Sequence, residues 1–173
     1  APEDYVLLLN GTNERYDSDS FWNDTAPIST QFTLGGDDDV NDHGDSYVAY
    51  LFAHNDDDGG FGEPGDQDII KCGSFTGAAP ATINLGFEPQ FLLIKSVTNS
   101  DNWYLFDTMR GLLADFSGLH YVSANLNSAE ATNGTTTKVT PTGFEINYGS
   151  GQTFIYMAIR RGGMQTPTTA SDV

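Results

Sequence analysis

The chain contains two stretches of similar sequence, and this internal repeat limits its fold more than any other feature does. In the first copy, an acidic loop separates the apolar segments at residues 31–35 and 46–53. In the second copy, a shorter loop separates the corresponding segments at residues 143–147 and 152–160. Duplicated apolar segments with variable loops between them favour a module that assembles or adheres over a single catalytic pocket.

Two further features align the copies. An apolar segment precedes each of them, at residues 5–9 and 91–94, and each contains an Asp-Thr step, beginning at Asp24 and Asp107. The repeat therefore predicts that both halves of the chain use similar strands.

The spacing of apolar segments between Gly- and Asp-rich turns predicts many short strands. These are residues 5–9, 20–22, 31–34, 46–54, 68–75, 90–96, 103–107, 138–140, 143–147 and 152–160. Residues 47–52 and 154–159 are nearly continuous in apolar and aromatic side chains, which predicts central strands buried on both faces. Helical signals are weak and would give one or two turns at 109–113 and 124–131. We expect an all-β fold, an antiparallel, jelly-roll-like β-sandwich built from two similar halves.

This pattern also predicts the domain organisation. Residues 1–70 form the first β repeat with its acidic loops, and residues 71–161 form the second, packed with the first as one sandwich unit. Residues 162–173 lack an apolar period and are expected to be a flexible tail or linker. Because the chain begins at Ala1 rather than Met, we expect a processed product or a piece of a longer protein.

The charge is strongly negative and unevenly distributed. The net charge is −17, and residues 1–70 hold 17 of the 24 acidic residues with a single basic one. A surface of this kind repels phosphate, which excludes nucleic acid as a partner. No apolar run approaches the ~18 residues of a membrane span, so membrane insertion is not expected. The 18 Asp against 6 Glu are typical of a saline habitat or of Ca²⁺-binding loops.

Two acidic loops are the candidate metal sites, because Ca²⁺ takes six to eight oxygen ligands that closely spaced carboxylates can supply. Solvated loops without a metal are the alternative interpretation. The candidate ligands in the first loop are Asp37, Asp38, Asp39, Asn41, Asp42 and Asp45. Those in the second loop are Asp56, Asp57, Asp58, Glu63, Asp66 and Asp68. Beyond a possible Ca²⁺, no cofactor is expected.

Aromatic residues near strand ends are candidates for stacking on a glycan. They are Trp22, Phe61, Trp103 and Tyr104. The alternative is that Trp22 and Trp103, at equivalent places in the repeat, anchor the two halves of the core.

No catalytic residue is expected. Cys72 is the only cysteine, which excludes a disulfide framework, and it lies in a predicted strand as a structural thiol. Asp107 lies close to Arg110 and is expected to be a turn residue paired with it.

Short phrases across most of the chain also resemble a known family. They lie at residues 22–27, 32–35, 46–54, 71–77, 84–95, 107–111 and 155–161. They resemble a repeat domain of tail-fibre and virion structural proteins of tailed phages. The resemblance implies a virion or extracellular location and contact with the host surface, and supplies no catalytic residue. The first copy departs from the pattern because it lacks the Arg-Gly pair that follows the Asp107 step.

We therefore expect a structural and adhesive module of a virion or surface appendage, most readily a tail-fibre component. Its expected partners are copies of itself or other virion proteins. The alternatives are a Ca²⁺-assisted carbohydrate-binding module that recognises a host-surface glycan, a capsid decoration protein and a polysaccharide-degrading enzyme.

Overall fold

The computed structural model describes residues 2–52, 69–116, 119–132, 136–160 and 162. Its strands are β1 (Tyr5–Val6), β2 (Tyr16–Asp17), β3 (Ile70–Thr76), β4 (Ala81–Asn84), β5 (Pro89–Ser96), β6 (Trp103–Asp107), β7 (His120–Ser123), β8 (Ala131–Thr132), β9 (Thr137–Thr140), β10 (Gly143–Ile146) and β11 (Thr153–Arg160). Two helices of a single turn, α1 (Asp19–Trp22) and α2 (Asp38–Asn41), and a 3₁₀ turn, Pro2–Asp4, complete the regular structure of the described ranges. The predicted all-β sandwich is confirmed.

Within these ranges the strands form three antiparallel sheets. One has the order β3-β11-β5-β6-β7-β8, the second β4-β10-β9, and the third is the β1-β2 pair. β11 lies between β3 and β5, and its Met157 stands opposite both Cys72 and Leu93. The continuous apolar pattern of β11 therefore belongs to an interior strand, as predicted.

The main core lies between the six-stranded and three-stranded sheets. Leu92 and Ile94 of β5, Phe144 of β10 and Phe154 of β11 are completely buried. Phe75 of β3 stacks on Phe154 with ring centroids 5.2 Å apart. Full burial of each such side chain stabilises the fold by about 1.5–3 kcal/mol, so this layer supplies much of the folding free energy.

The opposite, outer face of the six-stranded sheet is partly covered by the N-terminal segment, residues 5–15. The Asp101 N–H donates to the Thr12 carbonyl at 2.8 Å, and the Arg15 N–H donates to the Val97 carbonyl at 3.2 Å. Since these bonds join distant parts of the chain, they fix the segment on the sheet.

The strands predicted for the second half are confirmed by β3, β5, β6, β9, β10 and β11, with small shifts at their ends. The sequence analysis missed β4, β7 and β8. The helical turns predicted at 109–113 and 124–131 do not form. Residues 108–111 form a turn, and 131 already belongs to β8.

The strands predicted for the first half are largely wrong. Residues 19–22 form α1 rather than a strand, and residues 31–34 make only an isolated bridge between Ile28 and Gln31. Residues 46–52 are in no strand, and 53–54 lie outside the described residues. The physical reason is that apolar alternation gives strand propensity without supplying a neighbouring strand. In their described parts, the two halves do not share the same strands.

Two other expectations stay predictions. The described strands do not test the division of the chain near residue 70, and the predicted tail lies outside the described residues except for Gly162. In the described ranges, no helix has the length and apolar character to cross a membrane.

Candidate functional site

A groove of about 960 Å³ separates the N-terminal segment from the outer face of the six-stranded sheet. We call it the sheet groove. Cys72, Leu93, Ile155 and Met157 line it from the sheet. These side chains alternate along β3, β5 and β11 with the residues that face the core. The residues that line it from the other side are Tyr5, Val6, Leu7, Arg15 and Trp22, and Trp103 projects from β6.

The sequence analysis missed the sheet side of this groove, although a signal for it exists. A strand with water on its outer face alternates apolar and polar residues, whereas Leu93, Ile155 and Met157 make that face apolar. The continuous apolar character of β5 and β11 thus indicates a second buried face, and the N-terminal segment covers only part of it.

Trp103 joins the N-terminal segment to the sheet. Its indole Nε1 donates a hydrogen bond to the Leu8 carbonyl at 2.9 Å. This contact agrees with the anchoring interpretation of Trp103, because the polar edge of the ring is already bound within the protein.

The structure brings together only part of the predicted glycan platform. Trp22 and Trp103 both line the sheet groove. Tyr104, the next residue in β6, points to the opposite face, where its ring contacts Tyr121 and Tyr148. Burial raises the pKa of Tyr104, as does the hydrogen bond that its hydroxyl donates to Asp101 at 2.7 Å. Trp103 and Tyr104 therefore do not face a common ligand, and Phe61 lies outside the described residues.

Two basic side chains set the electrostatics around the groove. The Arg15 guanidinium lies 4.4 Å from the centre of the Tyr5 ring, in cation–π contact. Lys95 is completely buried under the N-terminal segment, and its Nζ donates to the carbonyls of Ser96 at 2.6 Å and Thr12 at 3.3 Å. Burial lowers the pKa of Lys95, and the charges of Asp101 and Glu14 oppose that shift.

The first acidic loop is organised around α2 by its own side chains. Asp37 caps α2 by accepting the Asp39 N–H at 3.0 Å, and its other oxygen accepts the Ser20 hydroxyl at 3.0 Å. The Asn41 amide donates to the Gly35 carbonyl at 2.8 Å. In the described part of the chain, no three His, Cys, Asp or Glu side chains are grouped as a metal would require. The structure thus does not gather Asp38, Asp42 and Asp45 with Asp37 into such a group, and the second loop lies outside the described residues.

The residues predicted to form a buried strand in the first half are instead on the surface. We call residues 47–52 the apolar segment. Val48, Tyr50 and Leu51 are 78%, 81% and 74% exposed. The Tyr47 hydroxyl donates to the Asp38 carbonyl at 2.8 Å and accepts the Asp42 N–H at 2.7 Å. One end of the apolar segment is therefore attached to the acidic loop, while the rest of its side chains face solvent.

Two other groups considered from the sequence are Asp107 and Cys72. Arg110 pairs with Asp107 through Nε and Oδ2 at 3.3 Å, and its N–H donates to Oδ1 at 2.9 Å, which confirms the predicted turn. Burial raises the pKa of the Cys72 thiol, and this disfavours the thiolate that a nucleophile requires.

The comparisons with known proteins identify a family but not a function. Neither the curated proteins nor the solved structures contain a match to this chain. A family model described as a domain of unknown function, DUF7483, matches residues 1–161, and the chain therefore belongs to that family.

Proposed function

We propose that this protein is a structural module that associates with copies of itself in a virion or surface appendage. The observation that carries this proposal is the exposure of the apolar segment. Soluble monomers rarely expose a contiguous apolar patch of several large side chains, and such patches usually mark contact surfaces. Here, six consecutive residues without charge present aromatic and aliphatic side chains to solvent.

The chemistry of the sheet groove favours a protein contact over a sugar. Leu7, Leu93, Ile155 and Met157 provide apolar surface, and the indole N–H of Trp103 already donates to Leu8. Polar side chains, among them Arg15, Ser74 and Thr153, also line the groove, but most of its lining surface is apolar. An apolar segment of another protein is the better chemical match.

The location in an appendage comes from the resemblance of the chain to tail-fibre and virion repeats. A module repeated in such a structure must hold its neighbours through contacts between their surfaces. A β-sandwich with an exposed apolar surface is suited to that task.

Mass measurement tests the proposal. Light scattering over a concentration series should show an oligomer that dissociates on dilution. Its stability should increase with salt, because the net charge of −17 repels a second copy and salt screens that repulsion. Leu51→Asp places a charge in the apolar segment and should shift the protein toward monomer.

The matched control is Met109→Asp, because Met109 is 87% exposed in a turn outside the apolar segment. This variant should associate like the wild type. A wild-type protein that stays monomeric at all concentrations and salt levels would refute the proposed function.

A further inference from the structure

We propose that the sheet groove binds the apolar segment of a second copy of this chain, as a strand beside residues 5–9. This inference rests on the proposed self-association and specifies its contact. The first half of the chain would then be completed by a strand from its neighbour.

The internal repeat identifies the missing strand. β11 in the second half corresponds to residues 46–53, and β5 corresponds to residues 5–9. In the second half these strands pair with each other in antiparallel orientation. In the first half their counterparts are not paired, since residues 46–52 are in no strand.

The strand order supports the same conclusion. In the large sheet, β5 has β11 on one side and β6 on the other. β1 pairs with β2 on one side, as β5 pairs with β6, but the β1-β2 sheet ends there among the described strands. Among the described residues, no strand therefore pairs with β1 on the side that β11 occupies beside β5.

The register can be carried over from the second half. There Met157 stands opposite Leu93, and Ala158 stands opposite Leu92. Aligning Tyr5 with Phe91 and Tyr47 with Phe154 places Tyr50 opposite Leu7 and Leu51 opposite Val6. Leu7 and Val6 line the sheet groove. The burial of Val6, which is 4% exposed, matches the complete burial of its counterpart Leu92.

The size and composition of the groove suit this occupant. Six residues of a strand span about 20 Å, and alternate side chains point to the same face. One face of the apolar segment can therefore pack on Leu93, Ile155 and Met157 while its backbone pairs with residues 5–9. Addition of an extended segment to a sheet edge is a general mode of protein recognition.

A second copy is the occupant because each chain holds its own apolar segment away from its groove. The two hydrogen bonds of the Tyr47 hydroxyl fix the start of the segment on the acidic loop around α2. Within the overall repulsion between two acidic chains, the local charges at the groove favour the exchange. The segment follows Asp42 and Asp45, and the groove that would receive it carries Arg15, the one basic residue among residues 1–70. Exchange of one element between identical chains is a general route to dimers.

Cross-linking tests the inference, because the only cysteine of the chain, Cys72, lines the groove. Tyr50→Cys and Leu51→Cys each place a second thiol in the apolar segment, on opposite faces of the expected strand. Under mild oxidation, one of the two variants should form an intermolecular disulfide to Cys72. The other variant should form far less of this disulfide. Peptide mass spectrometry of the dimer band identifies the joined residues. Adding Cys72→Ser should remove this linkage.

The other outcomes separate the inference from the function on which it rests. A disulfide to Cys72 within one chain would show that each groove takes its own segment, which overturns the exchange. Oligomers whose segment thiols do not cross-link to Cys72, or whose two variants cross-link equally, would overturn the groove as the contact while leaving self-association intact. A strictly monomeric wild type would refute both. Unchanged melting temperatures of the variants before oxidation show that they are folded.

Discussion

The indole Nε1 of Trp103 donates a hydrogen bond to the carbonyl oxygen of Leu8 at 2.9 Å and so joins residues 95 positions apart in the sequence. Trp103 lines the sheet groove, where the first half of the chain meets the second. Residues near it reinforce the connection, because Asp101 donates its N–H to the Thr12 carbonyl. The N-terminal segment is held in place by a small number of such bonds, so each should be measurable.

Trp103→Phe should destabilise the protein by about 0.5–1.5 kcal/mol, since it removes the indole donor, while the Leu8 carbonyl still accepts the Gly11 N–H at 3.1 Å. Urea unfolding monitored by circular dichroism measures this loss. Trp22→Phe is the matched control, because it makes the same exchange at the other tryptophan of the groove. If both variants lose the same stability, the hydrogen bond to Leu8 contributes little.

Gly143→Ala should also be destabilising, because a Cβ at this position would lie 1.9 Å from the carbonyl oxygen of Ile83. The backbones of β10 and β4 would have to separate, and overpacking of this kind costs about 1–3 kcal/mol. Gly36→Ala is the control, since a Cβ there meets nothing within 4 Å. That variant should be neutral or slightly stabilising in thermal unfolding. Equal melting temperatures for the two variants would contradict the close approach of β10 and β4.

Gly143 also explains part of what the repeat could not predict. The repeat aligns Gly143 with Gln31. A glutamine side chain could not fit against a neighbouring strand as close as β4 is to Gly143. The first half accordingly forms only the bridge between Ile28 and Gln31 where the second half forms β10. The similarity of the two copies thus predicted a strand at residues 31–34 that does not form, because Gln31 stands where the second copy has Gly143.

The apolar segment also shows that a sequence pattern alone does not predict which strands pair. The pattern of residues 47–52 predicts an interior strand as strongly as that of 154–159, because apolar character reports only that both faces require cover. β11 obtains that cover from β3 and β5, whereas no strand in the described part of the chain neighbours the apolar segment. The fold class and most strands of the second half were predictable from local pattern. The groove was not, because it arises from the docking of the N-terminal segment on a distant sheet.

Asp37→Ala tests how the acidic loop is held. The substitution removes the cap of α2 and the acceptor for the Ser20 hydroxyl, so it should cost about 0.5–2 kcal/mol of stability. If the loop is held by its own hydrogen bonds, thermal unfolding should show the same cost in EDTA and in added Ca²⁺. A cost that appears only with Ca²⁺ would instead support the predicted metal site, because a ligand bound to the native state stabilises it.

Alkaline pH should weaken the fold through Tyr148. Burial raises the pKa of Tyr148 above its ordinary value of 10.0, and the nearby Asp101 raises it further. Above about pH 10 the unfolded chain releases this proton while the folded protein keeps it, so stability falls as pH rises. Tyr148→Phe removes the effect and should reduce the decline by up to about 1.4 kcal/mol per pH unit. Urea unfolding at about pH 9, 10 and 11 measures the slopes.

Burial lowers the pKa of Lys95, but Lys95 is present in both proteins, so its contribution to the slope cancels in the comparison. An equally steep decline in Tyr148→Phe would contradict the role of Tyr148.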